Sequence, residues 1–259
     1  MKNTMLIGDT QVSVYGSGPT LVMCHGFTTT AKFWREQIGT FSQTHRVVVL
    51  DLPGHGRSPR PADRKYTIDA FVADLELIFE TLVITDAVLI GLSMGGTVSQ
   101  HFALKNPGLL KALVLVGATP HGLGPAVQVH NVLEAIERLG VEQSSQDVID
   151  RSFGSCASSE LLAFAKNEVI NTPAFVAREA IVSLNAADSR PLLAKLKMPT
   201  LVICGEEDQI TPPDQSLNLA KGIPHATLEL LKKAGHFPML EQPERFNAAL
   251  RSFVDRISA

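Results

Sequence analysis

Short apolar runs rich in β-branched residues recur along the chain, with room for a helix between most of them. In order, they read QVSVY, TLVMC, RVVVL, AVLI, ALVLV, TLVIC and ATLEL. Most are continuously apolar rather than alternating with polar residues, which is typical of strands covered on both faces. Amphipathic segments lie between several of the runs, namely FWREQIGTFSQ, IDAFVADLELIFETL and TVSQHFALKNP. This alternation predicts an α/β fold built on a mainly parallel sheet.

The alternation of strands and helices stops between residues 121 and 188. Helical segments follow one another there without a strand: VHNVLEAIERLG, SQDVIDRSF, SSELLAFAKNEVI and FVAREAIVSL. We therefore predict a helical cap over residues 121–188, inserted into a core made of residues 1–120 and 189–259. A run of surface helices belonging to the core would give a similar pattern.

The charge balance argues against two classes of partner. The chain has 23 Lys and Arg residues against 26 Asp and Glu residues, a net charge of -3, and no basic run. We therefore expect neither nucleic acid nor a membrane as a partner. The N-terminal segment lacks the apolar region of a signal peptide, which favours a cytoplasmic protein. The expected partner is a small molecule, and a homodimer stays open as an assembly state.

The stretch IGLSMGGTV places the pattern G-x-S-x-G between a strand-like run and a helical segment. A sharp strand-to-helix turn needs small residues two positions on either side of the serine, and Gly91 and Gly95 meet that need. Such a turn would expose the Ser93 hydroxyl at the carboxyl edge of the sheet. Two other interpretations stay open on this motif alone. Ser93 could cap the helix, or the glycines could hold phosphate, although a P-loop lysine is missing.

A nucleophilic serine needs a base and a group that orients the base. Asp208 follows the run TLVICG, and His236 follows ATLELL in the segment KKAGHFPMLEQPE. Glu206 and Glu207 are rival acids, and a solvated acidic turn is the plainer interpretation of their loop. Ser93, Asp208 and His236 nevertheless occur in the chain order of a triad on this architecture, each after a predicted strand.

Acyl transfer also needs hydrogen-bond donors for the oxygen that becomes negative. One donor is expected to be the backbone N–H of Met94, directly after the serine. The second is expected from the loop after an early strand, where the N–H of Phe27 is the candidate. His25 precedes Ser93 in the chain, so we expect it to brace this loop rather than to act as the base.

Taken together, these motifs resemble those of the α/β-hydrolase superfamily. They are HGF at 25–27, DLPGHGRS at 51–58, GLSMGG at 91–96, GEEDQITPP at 205–213 and AGHFPMLEQPE at 234–244. The resemblance covers nearly the whole core and implies an eight-stranded sheet with a helical lid. It also implies Ser93 as nucleophile, Asp208 as acid and His236 as base. The similar haloalkane dehalogenases and epoxide hydrolases carry aspartate at the position of Ser93.

Within that superfamily, the chain looks most like the 3-oxoadipate enol-lactonase and carboxylesterase branch. This resemblance implies a Ser-His-Asp hydrolase that cleaves an ester or lactone through an acyl-enzyme, without a metal or an organic cofactor. The alternatives are a carbon–carbon bond hydrolase of the meta-cleavage type and a signal-molecule hydrolase or receptor. The loop HGFTTT counts against the first, because those enzymes typically carry more glycine there.

The predicted cap also bears on the substrate. A lactonase substrate with a carboxylate would need a cation in its pocket, and solvated helix faces carry cations as well. The candidate cations in or next to the predicted cap are Arg138, Arg151, Lys166, Arg178 and Arg190. Apolar cap residues either line the pocket of an uncharged or partly aromatic substrate or belong to the core. These are Phe153, Leu161, Leu162, Phe164 and Phe175.

Overall fold

The computed structural model describes residues 2–123 and 127–258. Residues 124–126 of the predicted cap, and residues 1 and 259 of the predicted core, lie outside the described residues. The strands are β1 (Lys2–Ile7), β2 (Thr10–Tyr15), β3 (Thr20–Cys24), β4 (Arg46–Asp51), β5 (Ala87–Leu92), β6 (Leu110–Val116), β7 (Thr200–Gly205) and β8 (Ala226–Leu231).

The strands form one eight-stranded sheet with the order β1-β2-β4-β3-β5-β6-β7-β8. The pairs β1–β2 and β2–β4 are antiparallel, and all other neighbours are parallel. The seven apolar runs correspond to β2 through β8, which confirms the mainly parallel sheet. Strand β1 has no such run, because it is an edge strand whose residues are mostly exposed.

Helices cover both faces of the sheet. Their bounds are α1 (Arg35–Phe41), α2 (Ile68–Thr81), α3 (Met94–Lys105), α4 (Val129–Ser152), α5 (Ser159–Val169), α6 (Ala174–Ala186), α7 (Pro213–Gly222), α8 (Pro238–Glu241) and α9 (Pro243–Ser258). Residues of β5 and β6 alternate between the two layers: Leu89 and Leu113 pack in the layer of α2 and α3, while Ile90 and Val114 pack in the layer of α9. Each continuously apolar strand thus contributes side chains to the hydrophobic cores on both faces of the sheet.

Helix α2 illustrates how the sequence produces these layers. The Thr67 hydroxyl accepts the Ala70 N–H at 3.2 Å and caps the first turn. Along the helix, apolar side chains recur at spacings of three and four residues and face the sheet. They are Ile68, Phe71, Val72, Leu75, Ile78 and Phe79, all buried.

The α-helices α4, α5 and α6 follow one another between β6 and β7, where the alternation stops. A single antiparallel bridge between His121 and Asp188 joins the two ends of this segment. Helix α4 is bent at Gly140, whose φ of 76° is outside the helical region. The bend separates the two segments that sequence periodicity indicates as distinct helices. The division into core and cap stays a prediction.

Two features of the described residues bear on other classes of function. None of the helices in ranges 2–123 and 127–258 is both long and apolar enough to cross a membrane. Within the same ranges, no group of three or more His, Cys, Asp or Glu side chains is arranged to hold a metal ion.

Two fully buried histidines lie side by side in the loops after β3 and β4. The ring centroids of His25 and His55 are 5.1 Å apart. Nδ1 of His55 lies 3.1 Å from the Pro53 carbonyl oxygen. Burial, together with the neighbouring His25, lowers the pKa of His55 to about 3. His55 is therefore neutral in the folded protein over the physiological pH range.

We predict that this buried histidine makes the fold less stable in weak acid. The unfolded chain takes up a proton on His55 near its ordinary pKa, but the folded chain does so only near pH 3. Because the unfolded state then binds more protons, stability falls as the pH drops below about 6.5. His55 alone should account for a loss of about 2 kcal/mol between pH 7 and pH 5.

Urea unfolding of the wild type and of His55→Asn at both pH values measures this contribution. Between pH 7 and pH 5, the unfolding free energy of the variant should fall by about 2 kcal/mol less than that of the wild type. The same pH dependence in both proteins would contradict the assignment.

Candidate active site

Ser93 lies in a tight turn between β5 and α3. Its backbone has φ 52° and ψ -118°, and its N–H donates to the Val116 carbonyl at 2.8 Å. A positive φ is uncommon for a residue with a Cβ and often marks functional strain. Ser93 occupies the N-cap position of α3, but its side chain makes no capping hydrogen bond. The hydroxyl of this half-buried serine is thus not used as a helix cap.

The glycines around Ser93 allow several backbone segments to come close together. A Cβ at Gly95 would lie 2.6 Å from the Cys24 carbonyl oxygen, and one at Gly91 would lie 2.5 Å from Ser99 Oγ. Such distances leave no room for a side chain at either position. The end of β3 therefore lies directly against the start of α3, as the G-x-S-x-G pattern requires.

Asp208 and His236 meet beyond the ends of β7 and β8. Asp208 Oδ2 and His236 Nδ1 are 2.9 Å apart, and both residues are buried. Burial alone would raise the pKa of Asp208, but His236 and the hydrogen bonds from Thr211 hold this pKa below its usual value. Because an ionised carboxylate only accepts hydrogen bonds, Nδ1 of His236 carries the proton, and its Nε2 is free to accept one when the ring is neutral.

Thr211 supports this pair and was not among the residues predicted from the sequence. Its Oγ1 lies 2.8 Å from Asp208 Oδ2 and 2.9 Å from the Gly117 carbonyl oxygen. The N–H groups of Ile210 and Thr211 both donate to Asp208 Oδ1 at 2.9 Å. An aspartate that bonds the backbone two and three residues ahead is a recognisable turn pattern, so the letters DQIT carried a usable signal.

The rival acids of the same loop point elsewhere. Glu206 and Glu207 are exposed. The Glu207 carboxylate accepts the N–H of Ser155 at 2.6 Å and its hydroxyl at 2.9 Å. Among the three acidic residues of this loop, Asp208 is the one that bonds His236.

Ser93 and His236 face one cavity of about 320 Å³, a volume suited to a small ligand. A second cavity of about 140 Å³ also reaches Ser93 and lies towards Met94 and Leu184. The described residues contain no hydrogen bond between Ser93 Oγ and His236. Such bonds often tighten only when substrate is bound. Ser93 thus lies where the two cavities meet.

The two candidate oxyanion donors belong to the backbone beside Ser93. Phe27 lines both cavities, and Met94 lines the smaller one. The Gly26 carbonyl oxygen accepts hydrogen bonds from the Thr29 N–H at 3.3 Å and from the Thr29 hydroxyl at 3.0 Å. Because the C=O and N–H of one peptide unit point in opposite directions, the Phe27 N–H points away from Thr29. Within the described residues, neither the Phe27 nor the Met94 N–H donates to a protein acceptor.

His25 is fixed within this loop, as expected from its early position in the chain. Its Nδ1 lies 2.8 Å from the Gly26 carbonyl oxygen, and its Nε2 accepts the Leu52 N–H at 2.9 Å. Burial lowers the pKa of His25, which keeps the ring neutral and able to accept that hydrogen bond. A histidine whose two ring nitrogens are both occupied in this way braces the loop.

Of the five candidate cations in or next to the predicted cap, Arg151 is the one that lines both cavities. Three others lie in ion pairs: Arg138 with Glu134, Lys166 with Asp150, and Arg190 with Asp188. Neither cavity is lined by Arg178.

Most of the apolar residues singled out in the predicted cap pack against the core rather than in the pocket. Neither cavity is lined by any of the five singled out from the sequence. Phe153 is buried in the layer of α9, and Leu161, Leu162 and Phe164 pack against that layer. Phe175 instead lies edge-on to Tyr66, with ring centroids 5.7 Å apart. Their helical spacing therefore reflects packing and carries no information about the substrate.

Comparison with known proteins places this geometry in a family. The Alpha/beta hydrolase family model matches residues 21–249, which is most of the chain. The chain belongs to the α/β-hydrolase family. The eight-stranded sheet flanked by helices is the fold expected from the sequence resemblance, and that expectation is confirmed.

Individual members of the α/β-hydrolase family give a finer comparison. A 3-oxoadipate enol-lactonase of Acinetobacter baylyi is 29% identical over 243 residues, which cover 93% of this chain and 90% of that protein. A 2-hydroxymuconate semialdehyde hydrolase of a Pseudomonas species is also 29% identical, over 94% of this chain and 89% of that protein. An esterase of Thermogutta terrifontis, solved with malate bound, superposes over all of both chains with a TM-score of 0.88 at 27% identity. These likenesses support a hydrolase without fixing the substrate.

We predict that Gly95→Ala disrupts this α/β-hydrolase turn. The added Cβ would lie 2.6 Å from the Cys24 carbonyl oxygen, a backbone atom that cannot rotate away. The unfolding free energy should fall by roughly 2 kcal/mol or more. Gly39→Ala in α1 is the matched control, because no atom lies within 4 Å of its added Cβ. The control should gain roughly 0.5–1 kcal/mol, and equal effects in urea unfolding would contradict the packing argument.

Proposed function

We propose that the protein is a serine hydrolase that cleaves a small carboxylic ester or lactone through an acyl-enzyme at Ser93. The observation that carries the proposal is the 2.9 Å hydrogen bond between Asp208 and His236, facing the same cavity as Ser93 in its strained turn. In the proposed reaction, Nε2 of His236 removes the Ser93 proton as the serine oxygen attacks the carbonyl carbon. Asp208 keeps Nδ1 protonated and stabilises the imidazolium that forms.

The N–H groups of Phe27 and Met94 would receive the negative oxygen of the tetrahedral intermediate. Two observations support this assignment. Neither N–H donates to an acceptor within the described residues, and both residues line a cavity that also reaches Ser93. The imidazolium of His236 would donate its proton to the alcohol oxygen as the ester bond breaks. The neutral ring would then take a proton from a water molecule, which attacks the acyl-enzyme, releases the acid and frees Ser93. This chemistry requires neither a metal nor an organic cofactor. Residues 121–188 would serve as the cap that encloses the substrate.

Replacement of the nucleophile should remove turnover without unfolding the protein. Ser93→Ala should lower kcat for p-nitrophenyl acetate and butyrate by on the order of 10⁴-fold, because no oxygen can attack the carbonyl. Ser252→Ala, an exposed serine on α9, is the matched control and should keep wild-type kinetics. Turnover that survives in Ser93→Ala would contradict the mechanism. One stoichiometric release without further turnover in the wild type would favour the receptor alternative.

We further propose that the substrate carries an anionic group that is bound by Arg151. Arg151 lies on the last turn of α4 and lines both cavities that meet at Ser93. Asp147, one turn earlier, lines the larger cavity, but its carboxylate accepts a hydrogen bond from Gln143 at 2.8 Å. Arginine is well suited to a carboxylate because it can donate two parallel hydrogen bonds.

The substrate preference can be measured with a matched pair of esters. For Arg151→Met, kcat/KM for p-nitrophenyl hemisuccinate should fall at least about tenfold relative to p-nitrophenyl butyrate, since one charge-assisted hydrogen bond contributes about 1.5 kcal/mol or more. Arg138→Met is the control, because Arg138 lies on the same helix and lines neither cavity. The same ratio for the two esters in Arg151→Met and in the wild type would exclude the anion site.

A further inference from the structure

Glu241 lies five residues after His236, at the end of the short helix α8. Its carboxylate is half-buried, and burial raises its pKa against the opposing effect of backbone N–H groups. Oε1 accepts the N–H of Gly235 at 2.9 Å and that of Phe237 at 3.2 Å. The N–H groups on both sides of His236 therefore converge on a single carboxylate.

The same carboxylate also holds the segment that follows α4. Oε2 accepts the N–H of Gly154 at 2.7 Å and that of Gly235 at 3.0 Å. The N–H of His236 itself donates to the carbonyl of Ser152 at 2.6 Å. The loop that carries the candidate base is thus held in two ways. The His236 N–H bonds the backbone of residues 152–154 directly, and the Glu241 carboxylate links the N–H groups on either side of His236 to that of Gly154.

Two glycines make this close approach sterically feasible. A Cβ on Gly235 would lie 2.7 Å from the Gly154 nitrogen, and a Cβ on Gly154 would lie 2.6 Å from the Lys233 carbonyl oxygen. Both contacts are with backbone atoms, which cannot move aside as a flexible side chain can. The two segments are therefore packed backbone to backbone, with Glu241 supplying acceptors for N–H groups that would otherwise lack them.

We infer that Glu241 is a positioning residue, which fixes the His236 loop against residues 152–154 so that the imidazole is aligned for proton transfer at Ser93. This inference rests on the proposed function. Glu241 touches neither the cavity nor the reacting atoms, and it acts through the backbone of Gly235, His236 and Phe237. A glutamine has one acceptor oxygen in place of two, and its amide N–H₂ would face a backbone N–H that needs an acceptor.

Glu207 provides a matched control. Its carboxylate also holds the segment after α4, through the N–H and hydroxyl of Ser155, but it accepts no hydrogen bond from the backbone of residues 235–237. A variant of either glutamate thus removes a carboxylate from the same segment. Only the variant at Glu241 releases the loop that carries His236.

The test compares Glu241→Gln with Glu207→Gln at a temperature well below both melting transitions. For p-nitrophenyl butyrate, kcat of Glu241→Gln should fall at least about tenfold, with KM within about threefold of the wild type. Such a split is the signature of an interaction needed mainly in the transition state. Glu207→Gln should keep kcat within about twofold. Equal losses in the two variants, or a loss in Glu241→Gln that matches only its folded fraction, would overturn the inference.

Proton NMR gives a second readout that does not depend on turnover. The Nδ1–H of His236 that bonds Asp208 should give a low-field signal, identified by its loss in Asp208→Asn. This signal should broaden by exchange with water in Glu241→Gln and persist in Glu207→Gln. An unchanged signal in Glu241→Gln would overturn the inference. If the low-field signal behaves as predicted in the variants but the wild type turns over no ester, the proposed function fails, while the role of Glu241 in positioning His236 stands.

If Glu241→Gln does not fold, Glu241→Asp takes its place. The aspartate keeps the charge and both oxygens but is too short to reach the N–H groups of Gly154, Gly235 and Phe237 together. The kcat of Glu241→Asp should fall less than that predicted for Glu241→Gln, and its low-field His236 signal should be weaker than in the wild type. Wild-type kinetics in Glu241→Asp, with an unchanged low-field signal, would overturn the inference.

Discussion

The close contact between the start of α3 and the end of β3 is the constraint on which the site depends. It exists because Gly95 presents no side chain to the Cys24 carbonyl, and Ser93 has a strained backbone conformation in the turn that precedes it. The same contact places the loop of residues 25–29 beside Ser93, since this loop follows Cys24 directly in the chain. A Cβ at Gly26 would lie 3.2 Å from Ser93 Cβ. The candidate nucleophile and the candidate oxyanion donors are thus positioned by the same close contact between two backbone segments.

The parallel sheet brings the remaining groups to the same edge. Because β5, β7 and β8 run in the same direction, the loops after them share the carboxyl end of the sheet. Asp208 and His236 meet there, and the Thr211 hydroxyl lies within hydrogen-bonding distance of both the Asp208 carboxylate and the Gly117 carbonyl oxygen. The segment after α4 adds a further contact, since His236 donates its N–H to Ser152. Residues from distant parts of the chain therefore depend on each other's position.

Much of this arrangement could be predicted from the sequence because it has local signals. Continuous apolar runs mark buried strands, and G-x-S-x-G marks the turn at Ser93. Strand β1 was missed because an exposed edge strand has no such run. The role of Glu241 could not be predicted, because its partners include Gly154, which is 87 residues away. Arg151 could not be separated from the other cap cations, because the pocket wall is defined only by how the helices pack.

The central claim is that Ser93 is the nucleophile. Incubation with a fluorophosphonate probe, followed by digestion and mass spectrometry of the peptides, tests it directly, because such a probe reacts with an activated serine and not with an ordinary hydroxyl. The account predicts one label per chain, located on Ser93. An unlabelled protein, or a label on a different residue, would contradict it.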